Sequence, residues 1–327
     1  MITIGIDIGG SSIKAALTDA RTGILARAQR PTLANGSVDD TVAQLHACIE
    51  ELIAAHTSGA AHGGGTAHGG IALDVAGIGV GVPGAIDHDR GLVLYPPNLP
   101  AWQEVPLSAL LSDRWGVPVL LENDANCAAL GERHFGAGRA HDHFIALTLG
   151  TGVGGGIIID GRIFRGPRGF AGEFGHLSID GEGPACNCGG RGCIEAYVGI
   201  HYLMREAIAE LRDDPDSLLH PRAVNDAEGL VPKDLAEAAA AGDATSATIL
   251  RRAGGRLGVA IASTANLLDI ETFIIGGGIA GAGAPLFDGI NEEARGRVMK
   301  VHRSALTILP AELGNDAGML GAASLML

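Results

Sequence analysis

The feature that most restricts the fold of this 327-residue chain is a strand, a glycine turn and a returning strand, written twice. Ile2, Ile4, Ile6 and Ile8 alternate with other residues up to Gly9-Gly10, and the apolar run Ile13 to Leu17 follows. A period of two broken by a glycine turn predicts a β-hairpin. The same pattern recurs as Phe144 to Gly152 running into Gly156 to Ile159. Repetition of one supersecondary unit indicates two related lobes, and the chain is long enough for two cores. Two lobes imply a cleft.

Strand and helix patterns alternate along the rest of the chain, which places it in the α/β class. The spacing of Val42, Leu45, Ile49, Leu52 and Ile53 predicts a helix from Ser37 to about His56, opened by a capping box of Ser37 and Asp40. Residues 57–70 are too rich in glycine for regular structure, and their His62 and His68 read as part of a surface insertion. Strands are expected at Val75 to Val82 and Val117 to Leu121. The second feeds into Glu122-Asn123-Asp124-Ala125-Asn126 and an alanine-rich helix, and polar residues at a strand's carboxyl end line ligand sites in α/β sheets. Further on come a helix from about Tyr197, a polar loop from Asp213 to Pro232 and a long helix from Thr245 to Asp269. A strand from Glu271 to Ile275 and a helix from Pro285 to Met299 follow.

A net charge of −14 with no compensating basic block argues against a nucleic-acid or anionic-membrane surface and for small-molecule chemistry. The amino terminus lacks a basic segment leading into a long apolar run, and no stretch reaches transmembrane length, so a cytoplasmic protein is expected.

Two glycine turns are candidate phosphate sites, because backbone N–H groups can approach phosphate oxygens where no Cβ intervenes. The first comprises Asp7, Gly9, Gly10, Ser11 and Ser12, with Lys14 just beyond; the second comprises Gly150, Thr151, Gly152 and Gly154. A phosphate chain gripped from both lobes explains the pair. Gly276-Gly277-Gly278-Ile279-Ala280-Gly281 formally matches a dinucleotide fingerprint. About fifty residues remain after it, and the βαβ unit and closing acidic residue of that motif are not expected there. Gly277 and Gly278 are read instead as a shelf beneath an adenosine.

The strongest chemical signal is Cys186-Asn187-Cys188-Gly189-Gly190-Arg191-Gly192-Cys193, with His176 ten residues upstream. Three soft ligands on a tight loop plus one imidazole suit a closed, structural Cys3His zinc site. Glu173 and Glu195 flank this segment, so a bound zinc fixes both carboxylates. The imidazole nitrogen that zinc leaves free remains available to a ligand hydroxyl.

Together DIGGSSIK, LENDANCAALGE, LGTGVGGG, EFGH and CNCGGRGCIE, in this order, resemble the ROK family of bacterial sugar kinases and repressors. The resemblance implies an actin-like, ribonuclease-H-like two-domain ATPase fold with an interdomain cleft. It places a smaller lobe at residues 1–121, joined by a final helix within 312–327 that packs back on it, and a larger lobe at 122–311 carrying the zinc loop and nucleotide site. It implies ATP and Mg2+ between the lobes, with the sugar on the cleft floor. It makes Asp124 the base for the sugar hydroxyl, gives Asn98, Asn123, Glu173, His176 and Glu195 the other hydroxyls, and sets Asp7 at the metal-phosphate end. Asp is also a favoured helix cap, and Asp124 can hold both roles.

Ser11-Ser12 with Lys14 departs from the Thr-Lys common in the family and is similar to polyphosphate-using glucokinases, whereas the cysteine cluster points back to ATP. The expected reaction is phosphorylation of a hexose, with glucose as acceptor. N-acetylmannosamine, N-acetylglucosamine and fructose are the alternative acceptors, and a homodimer or tetramer is the expected assembly. A sugar-responsive repressor is the rival function; it calls for a helix-turn-helix domain, which is not expected here because the first hairpin starts at Ile2.

Overall fold

A computed structural model describes residues 1–19, 21, 23–59, 75–96 and 98–327 of the chain. The proposed insertion at 57–70 lies outside them from residue 60 onward. Strands β1 (Ile2–Ile8) and β2 (Ser12–Asp19) form the expected antiparallel hairpin, with Asp7 opposite Lys14. β3 (Gly23–Pro31) extends it, and helix α1 (Val38–Gly59) follows. The reciprocal bonds of Ser37 and Asp40 close the capping box at its start. β4 (Val75–Val82) and β7 (Val119–Asn123) complete the first sheet, ordered β3-β2-β1-β4-β7; a separate β5–β6 hairpin (Ile86–Asp87 and Leu92–Val93) and α2 (Leu107–Trp115) lie between them in sequence.

Period two on β1 and β4 separates two faces with different demands. Ile4, Ile6 and Ile8 enter a core shared with Leu45, Ile49 and Leu52 of α1. The opposite face carries Thr3, Gly5 and Asp7 on β1, and Gly77, Gly79 and Gly81 on β4. That face is covered by the final helix, which lies too close for side chains. A Cβ on Gly5 would sit 1.9 Å from the Met319 carbonyl oxygen, and one on Gly79 would sit 1.7 Å from that of Ala322.

The second sheet repeats the first hairpin. After α3 (Asp124–Phe135), β8 (Phe144–Leu149) and β9 (Val153–Ile159) pair antiparallel, and β10 (Arg162–Ile163) adds an edge. α4 (Glu195–Val198) and α5 (Ile200–Asp213) stand where one helix is expected from Tyr197, divided at Gly199. The stretch from Asp213 to Pro232, expected as loop, contains α6 (His220–Asn225). Pro232, taken as the loop's end, is the first residue of α7 (Pro232–Ala240), the N1 position where proline's missing N–H costs nothing. The long α8 (Ala244–Leu268) is capped by Asp243 and packs on α9 (Ala284–Arg297) through Gly254 and Gly289.

β11 (Thr272–Gly276), α9, the short α10 (Lys300–Arg303) and β12 (Thr307–Pro310) make a parallel crossover, giving the order β10-β9-β8-β11-β12. A βαβ unit therefore does follow the Gly276 run, contrary to the expectation from sequence, and Glu312 stands just after its second strand. A dinucleotide site still lacks support, because the Glu312 carboxylate faces Arg139 at 3.4 Å. α11 (Ala317–Ser324) then returns to the first sheet. No helix among the described residues is long and apolar enough to cross a membrane.

Placing a methyl group where a backbone carbonyl already stands forces sheet and helix apart. Gly79→Ala is expected to lower unfolding free energy by about 3 kcal/mol, measured by chemical denaturation. A loss below about 1 kcal/mol would show that α11 does not bear on β4 this closely.

Candidate active site

The two sheets meet across a cavity of about 190 Å3 whose walls include Asp7 and Lys14 from the first sheet, Asp124 from α3, and Thr148 and Gly277 from the second. Asp7 and Lys14 share a face because they are directly opposed in the β1–β2 ladder. Asp7 is pressed beneath the final helix, where a Cβ on Gly318 would lie 2.7 Å from its carboxyl carbon. Burial, with the nearby Asp124 adding to it and Lys14 opposing, raises its pKa to about 6.

Asp124 opens α3, yet the capping is done by its neighbour. The Asn123 side-chain oxygen accepts from the N–H groups of Ala125 and Asn126, and its amide donates to the Gly84 carbonyl at 3.3 Å. Asn123, expected on a sugar hydroxyl, has its oxygen committed to the cap. Asp124 Oδ1 takes the Ala125 N–H at 2.9 Å, and the residue lines the cavity. Burial raises the Asp124 pKa, and the charge of Glu173 pushes in the same direction against local backbone N–H groups.

The glycines of the two turns serve side chains as well as any phosphate. A Cβ on Gly10 would lie 3.2 Å from Asn98 Nδ2, and one on Gly152 would lie 2.3 Å from Glu195 Oε2. Glu195 is anchored there by the Val153 N–H at 3.0 Å. Gly154 admits Ala125 of α3, which a Cβ would approach to 2.8 Å, so its immediate surroundings are packing. Of the residues expected at phosphates, Asp7 and Lys14 line the cavity, while Gly9, Gly10, Ser11, Ser12, Gly150, Thr151, Gly152 and Gly154 do not; of the two expected beneath the adenosine, Gly277 lines it and Gly278 does not.

His176, Cys186, Cys188 and Cys193 converge, all four ligand atoms lying within 4.8 Å of one another. Cys186 Sγ is 3.8 Å from His176 Nδ1, and Cys188 Sγ is 3.6 Å from Cys193 Sγ. A tetrahedron with metal–sulfur bonds of about 2.3 Å has edges of about 3.8 Å, so the donor set has the size as well as the chemistry for zinc. Gly192, at φ +63°, permits the turn: a Cβ there would strike the Asp180 carbonyl at 1.7 Å. With Nδ1 toward the cysteines, His176 Nε2 faces Glu173 at 3.9 Å. The Ile194 N–H to Leu177 carbonyl bond ties this cluster to the start of α4, and hence to Glu195.

Two buried carboxylates lie within the LENDANCAALGE stretch, though no role is read for them from the sequence. Glu132 on α3 accepts from the N–H groups of Ala137, Glu312 and Leu313, fastening α3 to the segment that leads into α11. Glu122, beside Asn123, is equally buried. The sequence signal for both is membership of that stretch, at positions that strand or helix periodicity turns inward.

Asp7 makes a prediction about stability. Folding raises its pKa from 3.8 to about 6, so between these values the folded chain holds more protons than the unfolded chain. Stability therefore falls as pH rises through that window, and the penalty is complete above about pH 6, on the order of 3 kcal/mol. Asp7→Asn should raise the denaturant midpoint at pH 7.5, with the gain shrinking as pH approaches 4. No gain at pH 7.5 would contradict the assignment.

Comparison with known proteins agrees with the geometry. The ROK family pattern matches residues 3–327. A glucokinase of Thermotoga maritima is 36% identical over 323 residues, 99% of this chain and 96% of that protein. The crystal structure of a ROK family glucokinase from Streptomyces griseus, in complex with glucose and AMPPNP, superposes with a TM-score of 0.81 at 35% identity, covering 99% of both chains. A xylose repressor of Bacillus subtilis is 29% identical, the match spanning 99% of this chain and 77% of that protein. The chain belongs to the ROK family.

Proposed function

We propose that this protein transfers the γ-phosphoryl group of ATP to a hydroxyl of a hexose, with glucose as the acceptor. The observation that carries the reading is Asp124: a buried carboxylate of raised pKa at the start of α3, lining one cavity with Asp7 and Lys14 and near enough to Glu173 to feel its charge. The likeness to glucokinases, one of them holding glucose and AMPPNP, supports both substrates.

In this mechanism Asn98, Glu173, His176 and Glu195 hold the sugar, and the acceptor hydroxyl lies against Asp124. Asp124 Oδ2 takes the hydroxyl proton as the oxygen attacks the γ-phosphorus, and ADP departs. Raising the pKa of Asp124 makes its carboxylate a better proton acceptor. Lys14 faces the phosphate end and offsets charge there. Mg2+ would be held at Asp7 and would neutralise the phosphate oxygens, relieving the cost of keeping that buried carboxylate ionised. Zinc would be held by His176, Cys186, Cys188 and Cys193 and would supply rigidity, keeping His176 Nε2, Glu173 and Glu195 in register.

Asp124→Asn is expected to lower kcat by at least about a thousandfold while glucose affinity by calorimetry stays near that of the parent. Near-normal turnover in a coupled ADP assay would remove Asp124 from the mechanism. The same assay over glucose, fructose, N-acetylmannosamine and N-acetylglucosamine, with ATP and polyphosphate as donors, tests both substrates. Cys188→Ser should release zinc and raise the glucose KM about tenfold, read by elemental analysis and kinetics. Unchanged metal content and KM would count against a supporting zinc. The resemblance to a repressor favours a gel-shift control, in which DNA retention without hexose-dependent ADP release would reverse the reading.

A further inference from the structure

Glu122, the penultimate residue of β7, is fully buried, and its two oxygens gather four donors from three segments. Oε1 accepts from the Asn123 N–H and the Asn126 side-chain amide, both at 2.9 Å, and lies 3.2 Å from His88 Nε2. Oε2 takes Arg165 Nε at 2.6 Å. Burial opposes ionisation here, but His88, Arg165, Asn126 and Asn123 outweigh it and hold the carboxyl below its usual pKa.

Each donor belongs to a segment that presents a sugar-side residue. His88 stands in the β5–β6 turn, on the stretch leading to Asn98. Arg165 closes a loop by accepting the Ala171 N–H at 2.9 Å, and that loop delivers Glu173. Its Gly169 lies against His88, where a Cβ would approach Nδ1 to 3.5 Å. Asn123 and Asn126 flank Asp124 on the first turn of α3. Three stretches far apart in sequence thus share one anchor.

Resting on the hexose kinase reading, we propose that Glu122 is a positioning residue for the acceptor sugar. It clamps the His88 and Arg165 segments to the first turn of α3, so that Asn98, Glu173 and Asp124 meet one sugar ring in register. It acts through these groups, because its oxygens are occupied by the four donors. The negative charge is essential: a glutamine of the same shape would turn an NH2 toward either Arg165 or the trio at Oε1, donor against donor.

The test compares Glu122→Gln, Arg165→Met and Arg165→Lys, reading kcat, the KM of each substrate, glucose affinity by calorimetry and thermal midpoint. Arg165 is 37% exposed in its side chain, so its removal burdens folding less than a change at Glu122. Arg165→Met is expected to raise glucose KM and Kd about tenfold with the KM for ATP within about twofold, and Arg165→Lys to recover part of the loss. Glu122→Gln should also lower kcat about tenfold or more, and adding Arg165→Met to it should cost little further, since one interaction is lost in either order. Glucose and ATP KM values rising together, or Arg165→Met binding glucose as tightly as the parent, would overturn the proposal. A parent that turns over glucose while Arg165→Met is unaffected sinks the clamp alone. A parent that releases no ADP with any hexose sinks the kinase reading and the clamp with it.

Discussion

The cleft depends on one contact, a helix resting directly on the glycines of a sheet. Carbonyl oxygens of α11 occupy the space where Cβ atoms of Gly5 and Gly79 would stand, and Gly131 and Gly321 bring α3 and α11 equally close. Close packing of this kind has no slack, since protein interiors tolerate neither voids nor overlap. It also determines chemistry. Asp7 follows Gly5 on the same face of β1, so the seating of α11 that glycine permits carries Gly318 onto the Asp7 carboxylate and strips it of water.

Buried acids in this chain fall into two groups by what surrounds them. Glu122 and Glu132 are matched by donors, four for the first and three backbone N–H groups for the second, and they join segments. Asp7 and Asp124 are short of cations, with only Lys14 opposing their mutual repulsion at Asp7. The first pair gives the site its shape. The second keeps the cleft electrostatically unfinished, a state that a metal–nucleotide complex completes.

Features carried by neighbouring residues were legible in the sequence. The β1–β2 and β8–β9 hairpins, the capping box at Ser37, the α8 register and the four zinc-type ligands each rest on spacing within one segment. α7 was lost because Pro232 reads as the end of a loop although it is the first residue of a helix that buries Leu235 and Ala238, and the turn toward α6 is dense in Asp and Pro. The glycines at 10, 152 and 154 were seen correctly as places where a Cβ is excluded, but the excluding atoms are largely side chains and α3. The Glu122 anchor was invisible, because its donors at 88, 126 and 165 become neighbours only when the sheet, the β5–β6 hairpin and the loop before Glu173 have folded together.

The position of α11 in the chain has a consequence for biosynthesis. β1, at residues 2–8, leaves a ribosome long before its cover, residues 317–324. Until that helix emerges, the glycine face of the first sheet is without the element that seals it, and Asp7 remains hydrated. Domains generally fold as units, amino-terminal first, during synthesis. This sheet must wait for residues 317–324, so the cleft acquires its buried acid only after they have been made.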